Sequence, residues 1–150
     1  MNDPILLVED NNADAALIER AFQKAKIANP IRRLGDGDAA VDYLSGKPPY
    51  EDRIFNRMPV LVLLDVKLPR RSGFEVLSWL RSQQNGLQRL PVVILTSSGQ
   101  ASDINRAYDL GANSYLVKPG NPALLLEIIQ HLDSYWLTLN QKPDLGQLHD

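Results

Sequence analysis

The chain has 150 residues, 44% of them hydrophobic and 23% charged, which suits one globular domain with one core. A net charge of −2 and a pI of about 5.7 argue against a general nucleic-acid binder, which carries a basic face. Without cysteine there are no disulfides, no cysteine-ligated zinc and no thiol catalysis; with no signal segment and no apolar run near the roughly 18 residues of a membrane span, the chain reads as soluble and cytoplasmic.

Ile5-Leu6-Leu7-Val8 is apolar at every position and ends in two acids, Glu9 and Asp10. Runs of this kind suit strands buried on both faces of a parallel sheet. Leu17, Ile18, Ala21, Phe22 and Ala25 then keep a helical stripe. Ile31-Arg32-Arg33-Leu34 follows a proline and is more polar, which predicts an edge strand. Asp36-Gly37-Asp38 supplies a turn and an N-cap for a second helix over 39–44. Residues 46–59 form a long polar connection expected on the surface. Val60-Leu61-Val62-Leu63-Leu64 is a third apolar run, ending in Asp65. Phe74, Val76, Leu77 and Leu80 mark a third helix after the 69–73 loop, and Val92-Val93-Ile94-Leu95 leads into Thr96. Ile104, Ala107, Tyr108 and Leu110 form a fourth helix, stopped by Gly111. Tyr115-Leu116-Val117 leads into Lys118.

A fifth helix is expected over about 123–139, with Pro122 near its first turn. On a helical wheel Leu125, Ile128, Ile129, Leu132, Trp136 and Leu139 make one stripe, Leu126 and Leu137 lie on one flank and Tyr135 on the other. That is more apolar surface than a single core-facing stripe requires, so it marks either a wide buried face or an interface anchored by Trp136 or Tyr135. The domain is expected to span 1–141, with 142–150 a polar, flexible tail.

Five β-α pairs predict an α/β fold: a doubly wound, five-stranded parallel sheet with helices on both faces. Ligands of such sheets bind outside the carboxyl ends of the strands. Those ends carry Glu9 and Asp10, Asp65, Thr96 and Lys118. Singly, each has a plain explanation: a helix cap for Asp10 or Asp65, a surface charge for Glu9, a strand residue for Thr96, a solvated loop charge for Lys118. Together they are a constellation. Three converging carboxylates repel one another unless a cation sits among them, and Mg²⁺ suits an all-oxygen site that keeps open positions. Beside such an ion Asp65 can act as a nucleophile toward phosphorus, with Lys118 and Thr96 meeting phosphoryl oxygens.

The pattern Leu7-Val8-Glu9-Asp10-Asn11, Leu64-Asp65-Val66-Lys67-Leu68-Pro69, Ser72-Gly73, Leu95-Thr96-Ser97 and Lys118-Pro119 resembles the CheY-like receiver domain of two-component response regulators, over about residues 4–139. The resemblance implies that Asp65 is the phosphoacceptor and that Asp10 and Asp65 ligate Mg²⁺, with Glu9 acting partly through water and the main-chain carbonyl of Lys67 completing the set. It implies that Thr96 and Lys118 contact the phosphoryl group, that Tyr115 is the aromatic switch residue, and that a sensor histidine kinase or phosphotransfer protein is the donor. Lys67 and Ser98 fall at variable positions that tune dephosphorylation. A Glu-Asp acid pair stands where Asp-Asp is also used. Among single-domain receivers the chain is similar to those paired with cyanobacterial-type phytochrome kinases, through Pro48-Pro49-Tyr50, the Asp65 segment and the long last helix. That implies a homodimer, formed on the face of the fourth helix, fifth strand and fifth helix.

Other readings compete with this one. A haloacid-dehalogenase-type phosphatase needs an acid two residues after its nucleophile, and that position is Lys67. No glycine-rich phosphate loop is present. A receiver-like adaptor that binds a partner without phosphorylation would not need the full site. His131 and His149 are read as incidental. With the last helix so near the end of the sequence, the output is expected to be a protein contact, self-association or onward phosphotransfer, with no nucleic acid and no membrane involved.

Overall fold

The computed structural model describes residues 2–146. Five parallel strands stand in the order β2-β1-β3-β4-β5: β1 Ile5–Val8, β2 Ile31–Leu34, β3 Leu61–Leu64, β4 Val92–Thr96 and β5 Ser114–Val117. The helices are α1 Asn12–Lys24, α2 Gly37–Ser45, α3 Gly73–Arg81, α4 Ala101–Asp109 and α5 Pro122–Leu132. The winding reverses between β1 and β3, and such a switch point opens a crevice at the carboxyl ends of those two strands.

The apolar runs become strands because both faces of the sheet are covered. Leu6, Val8, Val62, Leu64, Val92 and Ile94 point to one face, where α2, α3 and α4 contribute Val41, Leu44, Phe74, Leu77, Leu80 and Ala107. Ile5, Leu7, Leu61, Leu63, Val93 and Leu95 point to the other, where α1 and α5 contribute Ile18, Phe22, Leu125, Ile129 and Leu132. Each fully buried aliphatic side chain stabilises by about 1.5–3 kcal/mol relative to exposure. As expected, β2 is an edge strand with only Leu34 buried.

The apolar residues of the helices are not all covered. Leu17 and Tyr108 lie at the edges of their helical stripes and turn to solvent. The fifth helix is not one regular rod: α5 ends at Leu132 and continues as a π-helical segment, Asp133–Leu139. A π turn holds more residues than an α turn, so the wheel slips in phase past Leu132. Trp136 and Leu137 pack on the core, whereas Leu139 is 69% exposed.

The surface connection 46–59 is pinned from within. Arg53 donates to the carbonyls of Leu44 and Asn56, and Asn56 and Met58 are buried. At the other end of the fold, residues 142–146 touch the domain. Arg89 donates to the Asp144 carbonyl, Leu145 packs on the core, and Gly146, at φ 72°, lies so close to Asn85 that a Cβ there would meet its carbonyl oxygen at 1.6 Å. The remainder of that tail, 147–150 with His149, lies outside the described residues.

Candidate functional site

Backbone bonds bring the acids together. The Asp65 amide donates to the Val8 carbonyl (3.1 Å) and the Glu9 amide to that of Leu34 (3.0 Å), so the ends of β3, β1 and β2 are locked side by side. Gly73 lets α3 start directly beneath Asp65: a Cβ there would stand 2.1 Å from the Asp65 carbonyl oxygen. The new helix is held by a capping box between Ser72 and Glu75.

Glu9, Asp10 and Asp65 each offer a carboxylate oxygen, all within 4.8 Å of one another. Glu9 is 1% exposed, Asp65 is buried and Asp10 faces solvent. Burial pushes the Glu9 carboxyl above its ordinary range; contact with Lys118 and the Asn11 amide pulls it back, and the Asp65 charge adds to the rise. Oxygen donors alone, from three acids, one of them open to solvent, fit a hard divalent cation that keeps part of its water.

Lys118 reaches into this cluster from the end of β5. Its amide donates to the Thr96 carbonyl (2.7 Å), fixing it beside β4. Its Nζ lies 2.9 Å from Asp65 Oδ2, 2.9 Å from Asp14 Oδ2 and against Glu9 Oε1. Burial disfavours the charge on Lys118, but the contacts with Glu9, Asp65 and Asp14 outweigh it and hold the ammonium well above the ordinary lysine pKa.

Thr96, the last residue of β4, is fully buried, and its hydroxyl has no hydrogen-bond partner among the described residues. A buried, unpaired hydroxyl costs roughly 1–3 kcal/mol, which an incoming oxygen ligand would recover. Tyr115, on β5, packs its ring on the core and donates its hydroxyl to the Ser98 carbonyl (2.8 Å). Ser98 in turn donates to Asp103 at the start of α4 (2.6 Å). The Lys67 amide donates to Asp65 Oδ1 (3.3 Å), and its side chain is exposed.

The structure therefore gathers Glu9, Asp10, Asp65 and Lys118 at one edge of the sheet. Thr96 ends the neighbouring strand, and Tyr115 is tied to the loop that follows it. His131 is exposed on α5. Sequence reasoning missed Asp14, a fourth carboxylate on Lys118. An acid in the first turn of a helix that begins at the carboxyl end of β1 was the available signal.

An acid cluster and a lysine thus stand together at the switch point of an open parallel sheet. The model of the response regulator receiver domain matches residues 5–130, and the chain belongs to that family of signalling proteins. It is 42% identical over 139 residues to the probable methanogenesis regulatory protein FilR2 of Methanothrix harundinacea, covering 93% of this chain and 86% of the relative. It is 38% identical over 133 residues to response regulator Rcp1 of a Synechocystis strain, covering 89% and 88%; Rcp1 has been solved in a Mn²⁺-bound form. The phosphorylated cyanobacterial phytochrome response regulator RcpA superposes with a TM-score of 0.87 at 35% identity, over 96% of this chain and all of that one. No helix among the described residues is long and apolar enough to cross a membrane.

Proposed function

We propose that this chain is a cytoplasmic single-domain response regulator whose Asp65 accepts a phosphoryl group from a phosphohistidine on a sensor kinase or phosphotransfer protein. An Asp65 carboxylate oxygen attacks phosphorus, the N–P bond to the donor imidazole breaks, and an acyl phosphate forms. Mg²⁺ held by Glu9, Asp10, Asp65 and the Lys67 carbonyl supplies the positive charge that offsets repulsion between the carboxylate and the phosphoryl oxygens. Lys118 exchanges its contact with Asp65 for a phosphoryl oxygen. Thr96 donates its hydroxyl to another. The observation that carries this reading is the pairing of an acid cluster and lysine with a buried, unsatisfied hydroxyl one strand away.

Phosphorylation adds about −1.5 to −2 charges at one point. Movement of Thr96 toward that charge opens space behind it, and Tyr115 releases Ser98 to follow. The response therefore travels to α4, β5 and α5. Tyr108, Val117, Leu124 and Tyr135 are exposed on these elements and on the π segment, which supports a homodimer on this face. Likeness to Rcp1 and RcpA supports a phytochrome-type kinase upstream. An adaptor that is never phosphorylated is not favoured, since it has no use for this full set of groups.

The test is intact-mass measurement after incubation with acetyl phosphate and Mg²⁺. The wild-type chain gains one phosphoryl group; without Mg²⁺, or as Asp65→Asn, it gains none. A folded wild-type chain that binds Mg²⁺ yet gains nothing, even under rapid quench, refutes the proposal.

A further inference from the structure

Lys118 has three N–H donors, and each faces a different carboxylate: Glu9, Asp65 and Asp14. The three are not equivalent. Glu9 and Asp65 belong to the group of oxygens that can converge on a metal ion; Asp14 does not. A divalent cation set among Glu9, Asp10 and Asp65 competes with the ammonium for two of its three partners and repels it as well. A phosphoryl group on Asp65 likewise replaces the contact at 2.9 Å between Lys118 and Asp65 Oδ2.

Asp14 is placed to remain. It is the third residue of α1, and its amide is held at 2.9 Å by the side chain of Asn11, the N-cap of that helix. Asn11 is itself tied to the site, because its own amide donates to Glu9 Oε2 at 3.1 Å. The Asp14 side chain is 38% exposed and that of Lys118 is 13% exposed, so the pair sits at the rim, where an ion pair avoids much of the cost of burial. No other acid contacts Lys118 from outside the cluster among the described residues.

We infer that Asp14 is a positioning residue: it retains the Lys118 ammonium at the rim of the site when metal or phosphoryl group claims Glu9 and Asp65. Lys118 thereby meets the phosphoryl oxygen already oriented. The inference deepens the phosphoacceptor reading and rests on it.

The deciding measurement is the ¹⁵N-edited NMR signal of the Lys118 ammonium in the full chain, identified by its disappearance in Lys118→Met. In the wild type the signal stays protected from solvent exchange with and without saturating Mg²⁺. In Asp14→Asn it stays protected without Mg²⁺, held by Glu9 and Asp65, and broadens away when Mg²⁺ is added; Asp14→Glu restores it. A signal that persists in Mg²⁺-saturated Asp14→Asn overturns the inference.

Acetyl phosphate supplies a second readout. At saturating Mg²⁺, Asp14→Asn slows phosphorylation roughly fivefold, or about 1 kcal/mol in the barrier. A wild-type rate would also overturn the proposal. Failure of the wild-type chain to take up phosphate would sink the phosphoacceptor reading and leave the NMR result to stand or fall separately.

Discussion

The two ends of the sheet each hold a half-buried cation, and they hold it differently. At the amino end Arg81 donates to the carbonyls of Gly111, Gln88 and Leu90 and to the side-chain oxygen of Asn113. At the carboxyl end Lys118 faces three carboxylates. Neutral amide oxygens carry no net charge and attract a rival cation weakly. Carboxylates attract one strongly. Burial lowers the Arg81 pKa from its usual value, yet guanidinium remains charged and its planar fork matches fixed oxygens. An ammonium suits partners that come and go. One end is built as a permanent tie between α3, the turn before β4 and the turn before β5. The other is built for exchange.

Removing each cation sharpens that contrast. Arg81→Met strands four acceptors, the buried Leu90 carbonyl among them, and is expected to cost about 2 kcal/mol in urea unfolding, with no dependence on Mg²⁺. Lys118→Met leaves Glu9 buried without its counter-charge and is expected to cost about as much in metal-free buffer. Here Mg²⁺ recovers most of the loss, because it binds the folded acid cluster and stabilises it by mass action. If Mg²⁺ rescued both variants or neither, the contrast would collapse.

Thr96→Val comes next in size. It removes a hydroxyl that is buried and unpaired, so the unphosphorylated protein should gain up to about 1 kcal/mol in thermal unfolding. The phosphorylated variant should lose the spectral changes of Tyr115 and its surroundings. A loss of stability would mean that the hydroxyl has a partner in solution.

The smallest effect is in pH. Because the folded pKa of Glu9 is raised, its protonated form is favoured by folding. The associated stability is present below the ordinary glutamate value of 4.5 and fades as pH rises through the folded pKa. Mg²⁺ needs the ionised form, so its affinity should climb over this same window, by at most about tenfold per pH unit, and then level off. Calorimetric titrations should show that slope, and a flatter, weaker one in Glu9→Gln.

Most of the fold was legible in the sequence because its strands are apolar on every position and its chemistry follows directly after them. Glu9, Asp10, Asp65 and Lys118 each lie within two residues of the end of an apolar run, and Thr96 closes one. What escaped depended on geometry that no local pattern carries. Asp14 meets Lys118 across 104 residues of sequence, through the angle at which α1 leaves β1. A wheel of constant pitch lines Leu139 up with Leu125 and Leu132, and the chain does not keep that pitch past Leu132. The seating of residues 142–146 was hidden for a similar reason: polar composition says nothing about Arg89 reaching the Asp144 carbonyl or about the close approach at Asn85.

That seating has a practical consequence. Asn85, Gly86 and Arg89 lie in the connection between α3 and β4, at the amino ends of the strands, so the chain reaches Gly146 on the side opposite Asp65. A fluorescent reporter or surface tether joined directly after Gly146 would start from the pole opposite Asp65, away from the acid cluster.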